Sequence, residues 1–299
     1  MITFLWITFT LLVLCVAFLL VRDIYNHRHQ LEKNSWIKSG VIGFIGNFFD
    51  VLGIGSFATE TAMIKFMKQS EDRLIPGTLN VGNTIPTVIQ GIIFIQIIEV
   101  EPITLVLMLM ASGAGAVLGA GIVAKLPERK IQFIMGVALL ITVGFMLATK
   151  MNWIQGGGEA IGLEGSKLMI AVGINFILGA IMTAGIGLYA PCMALVFALG
   201  MSPTVAFPIM MGSCALLMPM ASIRFIKEGA YNRRASLAIS VTGAAAVLIA
   251  AFLVKSLPLD ILRWLVIVVI LYTAFIMLKS AFGRQKAIAE KIEDKIGVN

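Results

Sequence analysis

Two carboxylates flank a Gly-x-Gly pattern in an otherwise apolar stretch of this chain. Asp50 and Glu60 lie on either side of Gly53 and Gly55, and Ser56 follows the second glycine. Acidic residues are costly at membrane depth and are kept there mainly for function. A buried carboxylate can bind and release a proton, so both residues are candidates for coupling transport to a proton gradient. If the segment ends near the membrane surface, the same carboxylates are solvated or ion-paired instead.

The glycine pattern recurs in the second half of the chain as Gly185 and Gly187, without the carboxylates. Glycine adopts backbone angles that other residues resist, so each pair predicts a break in a helix. A half-helix that begins at such a break offers free N–H groups and a positive dipole end to an anion. Glycines also allow helices to pack closely, and this alternative stays open. We predict that substrate binds at both breaks, at Gly53, Gly55, Ser56, Gly185 and Gly187.

Small polar residues open the apolar segment that follows each break. Gly82-Asn83-Thr84 in the first half lies opposite Gly212-Ser213-Cys214 in the second. Amide and hydroxyl groups at a helix start can bond an oxyanion without a full charge. Such residues also cap helices or bond to neighbouring helices in membranes. We predict Asn83, Thr84 and Ser213 as further substrate-binding residues, beside that structural alternative.

The composition predicts an all-α polytopic membrane protein. The chain has 299 residues, of which 59% are hydrophobic and 13% charged, whereas soluble domains carry about 25% charged residues. Apolar runs long enough to cross a bilayer recur throughout. The net charge of +7 indicates basic cytoplasmic loops rather than a nucleic-acid site, because no basic run is interleaved with aromatics. Three cysteines without CxxC spacing and two histidines in one loop predict neither a disulfide framework nor a metal site.

The chain divides into two similar halves. Each has a Gly-interrupted apolar segment followed by three uninterrupted ones. Ser112-Gly113-Ala114 in the first half matches Thr242-Gly243-Ala244 in the second, and Lys125-Leu126-Pro127 matches residues 255–258. These motifs occur in the same order in both halves, which indicates an internal repeat. The predicted parts are an N-terminal transmembrane helix and cytoplasmic loop (1–38), a first repeat (39–149), an extracytoplasmic Gly-rich loop (150–167), a second repeat (168–280) and a cytoplasmic tail (281–299).

The basic residues predict how the halves are oriented. They cluster at residues 65–73 and are absent from 99–102, whereas in the second half they are absent from 200–204 and cluster at 224–234. If the two Gly-interrupted segments are re-entrant rather than spanning, most Lys and Arg fall on one side, as the positive-inside rule requires. We therefore predict about seven full crossings, two re-entrant segments, an inverted-topology repeat and a cytoplasmic C-terminus.

These motifs resemble the TauE/SafE (sulfite exporter) family of membrane permeases from residue 40 to 278. The resemblance rests on the Gly-rich break in each half, on Asn80–Thr84 with its counterpart Met210–Cys214, and on the small-residue segment Gly113–Pro127. It implies transport of sulfite or organosulfonates. The chain differs from the family pattern in having fewer glycines at the breaks, two flanking carboxylates and an additional N-terminal helix.

We predict a secondary transporter of small anions in the cell membrane, with sulfite or an organosulfonate as substrate. Inverted repeats with broken helices allow alternating access around one midplane site. Protons are one candidate coupling ion, and the coupling ion and a homo-oligomer are left open. The sequence has no nucleotide-binding motif, and we expect no cofactor and no enzymatic activity. The alternatives are a channel, a cation-coupled carrier in which Asp50, Glu60 and unwound carbonyls hold Na⁺, a membrane-embedded enzyme and a non-transport scaffold.

Overall fold

The computed structural model describes residues 2–151, 153, 158–185, 187–253, 267–268 and 270–282. Helices dominate this part of the chain, which contains no β-strand and one isolated bridge between Ala160 and Met201. Short 3₁₀ turns lie at Asp72–Leu74 and Pro203–Val205, and a further helix covers Ile270–Phe282. The main helices are α1 Ile2–Asn26, α2 Trp36–Val51, α3 Ser56–Met67, α4 Ile75–Ile97, α5 Pro102–Val123, α6 Glu128–Lys150, α7 Gly165–Met182, α8 Tyr189–Ala198, α9 Ala206–Lys227 and α10 Arg233–Leu253.

The prediction of an all-α polytopic membrane protein is confirmed. Within the described residues, six helices are long and apolar enough to cross a membrane: α1, α4, α5, α7, α9 and α10. Helix α6 has 23 residues, which at about 1.5 Å per residue is also a spanning length. The predicted crossing at 260–280 and the repeat match at 255–258 lie wholly or partly outside the described residues. The total of seven crossings and the repeat boundaries therefore stay predictions.

The first Gly-interrupted segment is a hairpin whose two ends meet. Helices α2 and α3 have 16 and 12 residues, roughly 24 and 18 Å, each shorter than a hydrocarbon core of about 30 Å. The backbone N–H of Ser35, before α2, donates to Oε1 of Gln69, after α3, at 2.9 Å. The chain therefore enters and leaves on one side, as a re-entrant segment does.

The second Gly-interrupted segment also has ends that lie together, although its first helix, α7, has 18 residues and is one of the six that are long enough to cross. Helix α8 has only 10 residues, about 15 Å in length. The Lys167 ammonium, near the start of α7, donates to the Leu199 carbonyl after α8 at 3.2 Å. Beside them, the Ser202 N–H donates to the Ala160 carbonyl at 2.9 Å. Both ends of this hairpin thus lie together as well.

The two hairpins open toward opposite ends of the bundle. Helix α4 begins beside the ends of the first hairpin and runs 23 residues to the other end. There, the N–H of Glu101 at the start of α5 donates to the Ile161 carbonyl at 2.9 Å, in the loop that leads into α7. Close by, the Leu163 N–H donates to the Thr104 hydroxyl at 2.9 Å. The halves are therefore related by an inverted arrangement.

The helix packing repeats when the halves are exchanged. Helices α4 and α9 pack against each other in the centre, α2 packs on α10, and α5 packs on α7. Glycines bring the outer pairs into backbone contact: a Cβ at Gly43 of α2 would lie 2.5 Å from the Ile239 Cα of α10, and one at Gly179 of α7 would strike the Ser112 carbonyl of α5. Small residues at such positions are typical of membrane helices that pack closely.

A polar cluster lies at the end of the bundle where the two ends of the first hairpin meet. Asp23, at the end of α1, accepts from the Tyr231 hydroxyl at 2.6 Å and from Nε of Arg233 at 2.7 Å. Glu32 accepts from the backbone N–H of Arg233 at 3.2 Å and of Arg234 at 3.3 Å, and so caps α10. Burial, together with the bond to Asp23, raises the pKa of Tyr231 far above its usual value, so this residue remains a neutral donor.

Candidate functional site

The break between α2 and α3 depends on two glycines in the left-handed region. Helix α2 ends at Val51, Gly53 has a φ of +76° and Gly55 a φ of +92°, and α3 begins at Ser56. L-residues with a side chain adopt such angles at a cost of about 1–3 kcal/mol. The sequence prediction of a glycine-dependent break is therefore confirmed for the first half.

The break between α7 and α8 also uses a positive φ. Helix α7 ends at Met182, Gly185 has a φ of +101°, and α8 begins at Tyr189. A Cβ at Gly187 would meet no atom within 4 Å, so this glycine leaves open space at the break. Residue 186 lies outside the described part of the chain.

Asp50 joins the two breaks. It is only 3% exposed, and its Oδ1 accepts from the backbone N–H of Ser56 at 2.6 Å. Its Oδ2 accepts from the hydroxyl of Tyr189, the first residue of α8, at 2.8 Å. A negative group therefore already occupies the N-terminal end of α3, where the helix dipole favours an anion. An anionic substrate at this break has to displace Asp50 or meet it in its neutral form.

Two side chains of α4 offer polar atoms without partners beside this junction. The Tyr189 oxygen lies 3.3 Å from Oε1 of Gln90, but its one proton is better placed for Asp50. Nε2 of Gln90 and Oγ1 of Thr87 are buried and have no hydrogen-bond partner among the described residues. Buried polar groups are normally paired, so these two atoms are candidates for contact with a substrate. Amide and hydroxyl donors of this kind suit the oxygens of an oxyanion.

Glu60 lies in a separate buried cluster on the same hairpin. Its Oε1 accepts from Nδ2 of Asn47 on α2 at 3.1 Å, and its Oε2 accepts from Nδ2 of Asn83 on α4 at 2.7 Å. The two amides are joined directly, with Nδ2 of Asn47 2.6 Å from Oδ1 of Asn83. All three residues are fully buried. Asn83 therefore contacts the carboxylate of Glu60 in this conformation.

The expectation that Asn83, Thr84 and Ser213 lie at helix starts is wrong, because α4 begins at Ile75 and α9 at Ala206. Thr84 and Ser213 bond to neighbouring helices from inside their own helices. The Thr84 hydroxyl lies 2.9 Å from the Ser222 hydroxyl of α9. The Ser213 hydroxyl accepts from Nδ2 of Asn175 on α7 at 3.0 Å. The structure thus brings Gly53, Gly55 and Ser56 together with the start of α8, and leaves Thr84 and Ser213 in helix–helix contacts. Their substrate role stays a prediction.

Each half links its hairpin to the next helix through one asparagine. Asn47 bonds to Asn83, the residue after Gly82, and Asn175 bonds to Ser213, the residue after Gly212. The sequence analysis missed both asparagines, and also missed the role of Tyr189. An asparagine in the apolar helix before each break was the available signal, since polar residues at membrane depth are functional candidates. No comparable signal marks the hydroxyl of Tyr189.

Within the described residues, no group of three or more His, Cys, Asp or Glu side chains is placed to hold a metal ion. The buried thiols are Cys192 on α8 and Cys214 on α9, and the Cys214 thiol contacts Sδ of Met182 at 3.8 Å. These cysteines pack beside the second break as small apolar residues.

A family model described as Sulfite exporter TauE/SafE matches residues 2–146 and 168–297 of the chain. The gap between the two matched stretches falls on the predicted Gly-rich loop. The first stretch includes α1, so the expectation that this helix departs from the family pattern is wrong. No curated protein and no solved structure matches the chain.

Proposed function

This chain belongs to the TauE/SafE sulfite exporter family, and we propose from that premise that it is a secondary transporter of sulfite or an organosulfonate. The family is one of membrane transporters of sulfur anions, so the chain is a multi-pass membrane transporter. The finer proposal concerns the substrate, its binding place and the route by which it crosses.

The observation that carries the proposal is the junction of the two breaks through Asp50 and Tyr189. Breaks from two inverted halves meet inside the bundle, and each begins a short helix there. Irregular backbone at membrane depth is tolerated where it is buried in protein or lines a watery cavity. The N-terminal ends of α3 and α8 would face a substrate oxyanion with N–H groups and positive dipole ends.

The proposed contacts include residues from both halves. The backbone at Gly53, Gly55 and Ser56 supplies donors from α3, and Gly185 and Gly187 give the second break the same freedom. The unpartnered Nε2 of Gln90 adds a side-chain donor. Asn83, Thr84 and Ser213 line the helices that follow the breaks and reach the substrate in other conformations of the transport cycle. Asp50 and Glu60 remain the candidates for proton coupling.

The inverted halves provide a route for alternating access. Because the first hairpin opens at one end of the bundle and the second at the other, movement of either hairpin exposes the junction to one side only. The basic residues favour a cytoplasmic location for the end at which the first hairpin opens. The protein would lie in the cell membrane with its C-terminus inside.

Flux measurements with purified protein in proteoliposomes test this proposal. We expect saturable uptake of ³⁵S-sulfite or labelled sulfoacetate, and counterflow when unlabelled substrate is trapped inside. Protein-free liposomes are the control for leak. Saturable counterflow separates a carrier from a channel, since a channel gives no counterflow. The absence of flux of either anion, with correctly folded protein, contradicts the proposal.

A further inference from the structure

Glu60 is a buried carboxylate without a counter-charge. Its side chain is fully buried, and none of the ion pairs found in the described part of the chain includes it. Lys65, the one basic residue of α3, is paired with Asp72 instead. Burying a carboxylate that is neither paired nor neutralised is costly. The position therefore requires strong compensation or a bound cation or proton.

The amide that contacts Glu60 is imperfectly satisfied. Nδ2 of Asn47 has two hydrogens but lies within bonding distance of three acceptors: the Gly43 carbonyl at 3.0 Å, Oε1 of Glu60 at 3.1 Å and Oδ1 of Asn83 at 2.6 Å. Its Oδ1 is buried and has no donor. The Asn47 amide thus has more acceptors around Nδ2 than it has hydrogens, and no donor at Oδ1.

We infer that Glu60 is the site that binds the transported proton, and that Asn47 links its occupancy to the packing of α2 on α4. This inference rests on the proposed transport function and assigns the coupling role to one of the two candidate carboxylates. Asp50 instead holds the junction of the breaks, because its two donors, the Ser56 N–H and the Tyr189 hydroxyl, come one from each break.

The link follows from the hydrogen-bond roles in the two protonation states. Charged Glu60 accepts from both amides, as observed. Neutral Glu60 carries a hydrogen on Oε1 and needs an acceptor there. A half-turn of the Asn47 amide presents its unpartnered Oδ1 to that hydrogen, but it also turns Nδ2 away from Asn83. Proton binding therefore breaks the bond that holds α2 to α4, and proton release restores it.

The surroundings of Glu60 fit a proton better than a metal cation. The side-chain atoms that bond to its two oxygens are nitrogen donors, which repel a cation. Among the helices around Glu60, α2 carries Asp50, the titratable group that acts on Glu60 electrostatically. Helix α4 has no ionisable side chain, and Lys65 of α3 is already paired with Asp72. Helix α10 reaches the cluster with Gly243, where a Cβ would lie 2.5 Å from Nδ2 of Asn47.

Glu60→Gln separates proton coupling from substrate transport. Glutamine keeps the shape of the side chain but cannot bind and release a proton. In proteoliposomes we expect this variant to lose the accumulation of ³⁵S-sulfite driven by a pH gradient, falling to the level seen without a gradient. Counterflow of sulfite against trapped sulfite, which needs no net proton movement, should continue. Glu71→Gln, at an exposed position, is the matched control and should accumulate sulfite as the wild type does.

Gradient-driven accumulation by Glu60→Gln at the wild-type level overturns the assignment. If the wild type itself shows no counterflow, the transport function is wrong, and the assignment is then decided by infrared spectroscopy. The carbonyl band of a protonated carboxylic acid should grow as the pH is lowered in the wild type and in Glu71→Gln. The same band should be reduced in Glu60→Gln. An unchanged titrating band in Glu60→Gln contradicts the inference, even for a variant that does not transport.

Discussion

Asp50 and Tyr189 are 139 residues apart in the chain, yet the tyrosine hydroxyl donates to the carboxylate at 2.8 Å. Asp50 lies one residue before the end of the first half of one broken helix, and Tyr189 begins the second half of the other. This single bond fixes the two breaks against each other and places a negative charge where an anionic substrate is expected.

Tyr189→Phe should destabilise the protein and loosen the junction. The substitution leaves Oδ2 of Asp50 without its donor in a buried position, which costs about 1–3 kcal/mol. Thermal unfolding in detergent measures the loss. Tyr272→Phe is the control, because Tyr272 is 51% exposed and stacks on Phe66 through its ring, which phenylalanine retains. Equal stability of the two variants would show that the bond does not join the breaks.

Asp50→Asn should bind sulfite more tightly than the wild type. The amide keeps the size of the side chain but removes the charge that competes with the substrate at the start of α3. Relief of 1.4 kcal/mol of like-charge repulsion corresponds to about a tenfold lower dissociation constant. Isothermal titration with sulfite measures the change, and Glu71→Gln serves as a charge-matched control. Weaker binding by Asp50→Asn would place the substrate elsewhere.

Gly55→Ala should be less stable than the wild type although its methyl group has room. A Cβ at Gly55 meets nothing within 4 Å, so the cost, about 1–3 kcal/mol, comes only from the backbone conformation, with a φ of +92°. Gly173→Ala in helix α7 also has open space, and there alanine should stabilise the helix by about 0.8–1 kcal/mol. Opposite shifts in unfolding temperature are expected. Shifts of the same sign would contradict the observed break geometry.

Asn83→Ala should destabilise the protein more than Ser213→Ala. Removal of the Asn83 amide leaves Oε2 of Glu60 without a donor and takes one acceptor from Asn47. Loss of the Ser213 hydroxyl leaves Asn175 bonded to the Met108 carbonyl at 2.7 Å. An unsatisfied buried group costs about 1–3 kcal/mol, and more when it is charged. Denaturation in detergent compares the two variants, and equal losses would argue against a charged, buried Glu60.

Single cysteines should report the inverted arrangement. In a Cys15→Ser background, Gln30→Cys and Glu71→Cys should react with an impermeant maleimide from the cytoplasmic side, and Glu159→Cys from the opposite side. The native Cys192 and Cys214 are buried and should remain unlabelled in the parent protein, which is the control. Labelling of Glu71→Cys and Glu159→Cys from one side would contradict the arrangement of the hairpins.

The helices and their breaks could be predicted because the signals lie within single segments. Apolar run length predicts where helices cross, and Gly53 and Gly185 predict where the backbone turns. The distribution of basic residues favoured hairpins over full crossings, and the bond from Ser35 to Gln69 agrees with that interpretation.

The pairing of side chains across helices could not be predicted in the same way. Whether Tyr189 faces Asp50, or Thr84 faces Ser222, depends on how each helix is rotated about its axis, which the packing of the whole bundle decides. Each membrane helix carries apolar side chains on nearly every face, so no amphipathic pattern in the sequence sets its rotation. Polar residues in the apolar segments could be identified only as candidate functional residues. By that criterion Asn47 and Asn175 were candidates as much as Asn83 and Ser213.

A cryo-electron microscopy map of the protein in nanodiscs with saturating sulfoacetate would locate the bound substrate. We expect ligand density at the junction of the two breaks, within hydrogen-bond distance of the Ser56 N–H and Nε2 of Gln90, with Asp50 displaced from Ser56. A map without ligand is the control. Density bound elsewhere, with the bonds of Asp50 to Ser56 and Tyr189 intact, would contradict it.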